Sequence, residues 1–115
     1  MRLFLDTANI EEIRKGASLG VITGVTTNPS LAAKEGIGRA DSYKTAVQEI
    51  ADIIDGPISV EVVSQDAAGM IAEGQDIAEW IPNPWVKIPS TYEGFQAISA
   101  LSRDGIKINQ TLCFS

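Results

Sequence analysis

Lys87 lies in residues 85–90, WVKIPS, between Val86 and Ile88, in a run that reads as a buried strand. Lysine is among the residues least often fully buried, because apolar neighbours cannot replace the hydration its ammonium loses. Two carboxylates stand in comparable runs: Asp6 in RLFLD (2–6) and Glu61 in PISVEVV (57–63). The chain has no histidine, which excludes Ser-His-Asp and Cys-His catalysis and removes the commonest metal ligand. Acid–base chemistry must then come from carboxylates, lysine, tyrosine or water.

These residues need elements to position them, and the chain alternates short β-rich runs with amphipathic segments. Strands read at roughly 2–6, 21–26, 57–63, 84–89 and 106–111, and helices near 10–19, 41–54, 66–81 and 91–103. In 41–54, Tyr43, Ala46, Val47, Ile50, Ala51 and Ile54 form one helix face. Met70, Ile71, Ile77, Ala78 and Ile81 form a second such stripe, and Phe95, Ile98 and Leu101 a third. Asn9 with Glu12, and Ser90 with Glu93, have capping-box spacing, while Gly20, Gly56 and Gly105 fall where helices should end. Strict alternation implies a parallel sheet with right-handed crossovers. A doubly wound sheet and a (β/α)-barrel segment both fit that order.

The strand phase favours the barrel. With Lys87 and Trp85 on one face, Val86 and Ile88 take the other. The same phase groups Phe4 with Asp6, Ser59 with Glu61, and Lys107 with Asn109 and Thr111, and places Thr26 just before Asn28. Each strand thus has one apolar face for helices and one face with polar residues toward its C-terminal end, where barrel active sites are built. A doubly wound sheet covers both faces, which leaves inward polarity harder to explain.

Simpler readings exist for each residue. Asp6 could begin a turn before the Asn9 cap. Asn28, followed by Pro29 and a short SLAAKEG helix, makes a good N-cap with proline in the first turn. Glu61 and Lys87 could be an interior ion pair, although such pairs often add little net stability. EGIGRAD (35–41) follows no strand and is no nucleotide fingerprint. Trp85 and Phe95 read as core.

Composition bounds the function. The 115 residues are one domain's worth, with the ordinary soluble balance of 44% hydrophobic and 21% charged residues. A net charge of -6 without a Lys/Arg cluster argues against nucleic acid. The start MRLFLDTANIEE does not read as a signal peptide, no stretch approaches a membrane span, and the lone Cys113 cannot form an internal disulfide. The expectation is a cytoplasmic protein.

Taken together, FLDTAN (4–9), GVTTNPSL (24–31), VEVVS (60–64), VKIP (86–89) and TLCFS (111–115) resemble the small transaldolases and the similar fructose-6-phosphate aldolases. The likeness runs along the whole chain. It implies the (β/α)8 TIM-barrel family, here β1 to β5 with four intervening helices, as a single partial-barrel domain over 1–115. It also implies a lysine Schiff base with no cofactor and no metal, sugar-phosphate substrates and a homo-oligomer.

By resemblance, Lys87 is the Schiff-base nucleophile, Asp6 the base on the C4 hydroxyl, and Glu61 the proton shuttle, through a water held by Thr111. Asn28 and Thr26 would join Thr111 in binding substrate. Glutamate at 61 favours transaldolase, because the fructose-6-phosphate aldolases carry glutamine there. Alternatives are the aldolase itself, or an inactive partial barrel that self-associates. The family's later strands, which supply a serine and a phosphate-binding arginine, have no counterpart in this sequence. A piece of a longer protein and a free-standing partial barrel are both expected possibilities.

Overall fold

The computed structural model describes residues 3–7, 9–20, 22–27 and 40–111. Asn28, and the helix expected after Pro29, lie outside the described residues. The elements run β1 (Leu3–Asp6), α1 (Ile10–Ser18), β2 (Ile22–Thr26), α2 (Ala40–Ile53), β3 (Ile58–Glu61), α3 (Ala67–Ile77), β4 (Pro84–Pro89), α4 (Tyr92–Arg103) and β5 (Ile108–Thr111). The strands form one parallel sheet in the order β1-β2-β3-β4-β5. Sequential order without reversal is that of a partial barrel, and it separates the two architectures that alternation left open.

One face of the sheet is apolar because alternate residues put it there. Val25, Val60, Val86 and Ile88 are at most 1% exposed and join Ile13, Val47, Ile50, Met70, Ile77 and Leu101 from the helices in one core. Of the expected stripe, Tyr43, Ala46, Val47 and Ile50 of α2 are buried, as is Ile54 just past its end, while Ala51 is partly buried. Gly20 and Gly105 hold positive φ (70° and 78°) just past α1 and α4, a conformation open to glycine without a Cβ penalty.

Four expectations are corrected. Phe95 is 52% exposed rather than core. The buried line of α4 is Gly94, Ala97 and Leu101, because Gly94 packs on the Pro89 carbonyl and Leu101 on Gly74 of α3. These close approaches rotate Phe95 outward.

The cap of α4 is Thr91, whose hydroxyl accepts from the Gly94 N–H at 3.0 Å. Ser90 instead accepts from the Gln110 amide, and the Glu93 carboxylate reaches the Ala67 N–H at the start of α3. Trp85 is only half-buried and lies on the polar face, with the Lys107 ammonium 5.7 Å from its ring centroid. Helix α3 ends at Ile77, short of the expected 81, while Ile81 still packs into the core.

Candidate active site at the carboxyl ends of the strands

Sheet register brings the predicted residues together. Glu61 on β3 is paired with Lys87 on β4, and Lys87 with Asn109 on β5. Asp6 on β1 is paired with Thr26 on β2, and Thr26 with Ser59 on β3. Asn109 donates to the Ser59 hydroxyl at 3.0 Å across the intervening β4. Side chains from strands that are not neighbours can touch only if they share the polar face. The ladder continues one residue beyond several strands, through N–H bonds from Thr7 to Thr26, Thr27 to Ser59 and Val62 to Lys87.

Asp6 has a defined partner. The Thr26 hydroxyl donates to its carboxylate at 2.8 Å. The local turn is made by Thr7 and Asn9 instead: Asn9 caps the Glu12 N–H, and Thr7 accepts from the Asn9 N–H while donating to the Glu12 carboxylate. Asp6 is therefore released from the turn-forming role and faces β2. Thr26 spends its only hydroxyl proton on Asp6, so the geometry makes it an orienting group for that carboxylate.

Burial raises the Glu61 carboxyl above its ordinary pKa; the Lys87 ammonium pulls it back and the Asp6 carboxylate adds to the rise. The net direction is upward, so the charge of Lys87 does not compensate the desolvation. A well-matched structural ion pair would hold the carboxyl down. Lys87 itself is partly exposed, beside a carboxylate on β3 and an amide on β5, in place of the wholly apolar setting its sequence neighbours suggest. Val86 and Ile88 supply that apolar character to the opposite face.

Two residues hold this region in ways the sequence did not disclose. Tyr43 of α2 brings its hydroxyl to Thr27 Oγ1 at 2.8 Å and to the Glu61 N–H at 3.3 Å. Burial raises its pKa; the bonds from Thr27 and the Glu61 backbone oppose that rise, and the Glu61 charge adds to it. Glu73 of α3 accepts from the Val63 N–H (2.7 Å), the Ser64 N–H (2.8 Å) and the Ser64 hydroxyl, clamping the loop that leaves β3. A buried tyrosine on a core stripe was the only available signal, since its hydroxyl must find a partner. Nothing in the spacing of Glu73 pointed to it.

Thr111 ends β5, paired with Pro89. A cavity of about 530 Å³ lined by Phe4, Thr23, Asp55 and Pro57, among others, lies at the other end of the strands. It holds one carboxylate and no lysine, so the reactive groups are elsewhere. Among the described residues no group of three or more His, Cys, Asp or Glu could hold a metal ion, and no helix is long and apolar enough to cross a membrane.

A parallel sheet in sequential order, with a lysine and two carboxylates on its polar face, is that of a partial α/β barrel. The chain belongs to the Transaldolase/Fructose-6-phosphate aldolase family, whose profile matches residues 3–115. It is 56% identical over 115 residues to the probable transaldolase of Roseiflexus castenholzii, covering all of this chain and 52% of that protein. Similar matches are to the probable transaldolases of Dehalococcoides mccartyi (54% over 116 residues) and Carboxydothermus hydrogenoformans (56% over 115 residues), each again covering all of this chain and 52% of the relative. The chain spans about half the length of the curated relatives it matches.

Proposed function

We propose that these strands carry the lysine half of a transaldolase site, which transfers a dihydroxyacetone unit between sugar phosphates through a Schiff base. The observation that carries this reading is the register of Glu61 against Lys87, with a carboxyl held above its usual pKa beside a lysine. A carboxyl of raised pKa keeps its proton to higher pH than an ordinary one and can pass it on and take it back, as imine formation and hydrolysis require.

In the proposed sequence, neutral Lys87 Nζ attacks C2 of a ketose phosphate, and the carbinolamine oxygen leaves as water on a proton delivered through Glu61. Asp6 takes the C4 hydroxyl proton. The C3–C4 electrons pass into the iminium, the aldose phosphate departs, and an enamine remains on Lys87. That enamine adds to the carbonyl of an acceptor aldose phosphate, which recovers the proton from Asp6. Water then hydrolyses the new imine. The iminium does the work of a Lewis acid, so the scheme requires no metal. Asn28, Thr26 and Thr111 complete the proposed set around the substrate, with Thr26 acting through Asp6.

Transaldolase is preferred over the aldolase because residue 61 is glutamate and the relatives named above are probable transaldolases. Borohydride reduction in the presence of fructose 6-phosphate should add a sugar-derived mass to the peptide containing Lys87, and Lys87→Met should abolish it. The decisive form for this test is the chain at the length of its relatives. No adduct at Lys87 there would reject the mechanism. Coupled assays with and without an acceptor aldose separate transfer from release.

A further inference from the structure

We propose that Tyr43 is a positioning residue: its hydroxyl joins the carboxyl ends of β2 and β3 and so sets where Glu61 stands relative to Lys87. The role rests on the reading above. The ring is 7% exposed on the core face of α2 and meets Trp80 edge-on at 6.2 Å, which fixes the direction of its C–O bond. Thr27 is wholly buried, and its hydroxyl donates to the Ser59 carbonyl at 2.8 Å. A hydroxyl has one proton, so in the 2.8 Å contact with Tyr43 it is the tyrosine that donates. The same phenol oxygen accepts the Glu61 N–H at 3.3 Å.

The location explains why an oxygen is needed. Register between β2 and β3 covers only Val25 with Ile58 and Thr26 with Ser59. Past that point the Glu61 N–H meets the tyrosine oxygen carried in by a helix. Phenylalanine would satisfy the packing on α2 equally well, whereas a buried hydroxyl is unfavourable unless it is bonded. Here it bonds to two strands at once. Thr27 directly precedes Asn28 and Ser59 lies two residues before Glu61, so this one oxygen links the segments that carry two proposed site residues. The mechanism makes no other use of it.

The test compares wild type with Tyr43→Phe, Thr27→Val and Thr27→Ser, all in the chain at the length of its relatives. Amide exchange at Glu61 should accelerate in Tyr43→Phe and Thr27→Val, and the side-chain carboxyl ¹³C signal of Glu61 should move in both. Thr27→Ser, which keeps the hydroxyl, should behave as wild type. Borohydride trapping of fructose 6-phosphate at Lys87 should slow by about tenfold at saturating sugar, on the order of one positioning hydrogen bond, with half-saturation little changed. Unchanged Glu61 signals in Tyr43→Phe would overturn the proposal, as would a loss of global stability with wild-type trapping. If wild type itself gives no adduct at Lys87, the Schiff-base reading fails, and the Glu61 signals alone still decide the role of Tyr43.

Discussion

Glu61 and Lys87 stand side by side in register on adjacent parallel strands, yet the carboxyl keeps a raised pKa. Desolvation outweighs the attraction of the ammonium. The balance of these two effects has consequences that can be measured.

The first concerns pH. The folded chain holds the Glu61 proton to higher pH than the unfolded chain does. The stability this group contributes is complete below the unfolded-state pKa, about 4.3, and is lost as pH rises through the raised folded-state value. In urea titrations Glu61→Gln should therefore gain on wild type as pH rises from about 4 toward neutrality. A stability difference that stays constant across that range would contradict the assigned direction.

Removing the lysine should act on its neighbour. The Lys87 ammonium lowers the Glu61 pKa, so Lys87→Met should raise it further. The change exchanges a lysine on the polar face for a residue of similar length, and far-ultraviolet circular dichroism should be retained. A ¹³C titration in which the Glu61 midpoint falls or stays fixed would show that the two groups do not interact.

Helix α4 offers a contrast in packing. Leu101 is 0% exposed against α3, so Leu101→Ala should destabilise by about 2–5 kcal/mol. Phe95→Ala should remain within about 0.5 kcal/mol of wild type, because more than half of its surface is already in solvent. Gly94→Ala should be severe, since a Cβ would meet the Pro89 carbonyl at the end of the strand that bears Lys87. Denaturant midpoints rank the three, and equal effects at 95 and 101 would reverse the assigned faces.

The sheet edges lead to the last expectation. Among the described residues, β1 and β5 each have one strand neighbour. Open edges recruit further strands, so the 115-residue polypeptide alone should self-associate and turn over substrate weakly or not at all. Multi-angle light scattering should report a mass above 12.3 kDa. A well-folded monomer at that mass, or full activity, would refute this.

Much of this was legible along the chain because it depends on local periodicity. Alternation within WVKIPS assigns Lys87 to one face and Val86 and Ile88 to the other, whatever surrounds the strand. The 3.6-residue spacing in α2 likewise marks Val47 and Ile50 for the core, and the Asn9 cap follows from side-chain chemistry three residues from its partner. The residue types already held the candidate chemistry: one lysine and two carboxylates on strand ends, without histidine. Tertiary structure decided what depends on distance between elements. Sequential strand order, which selects the barrel, rests on pairing that no local signal encodes. The exposure of Phe95 follows from how closely two glycines let α4 approach β4 and α3. The Tyr43 hydroxyl acquires its partners only when α2 packs over the ends of β2 and β3, bringing together groups 16 and 18 residues apart. Such contacts are set by packing in three dimensions, and a one-dimensional pattern records only that Tyr43 is apolar enough to be buried.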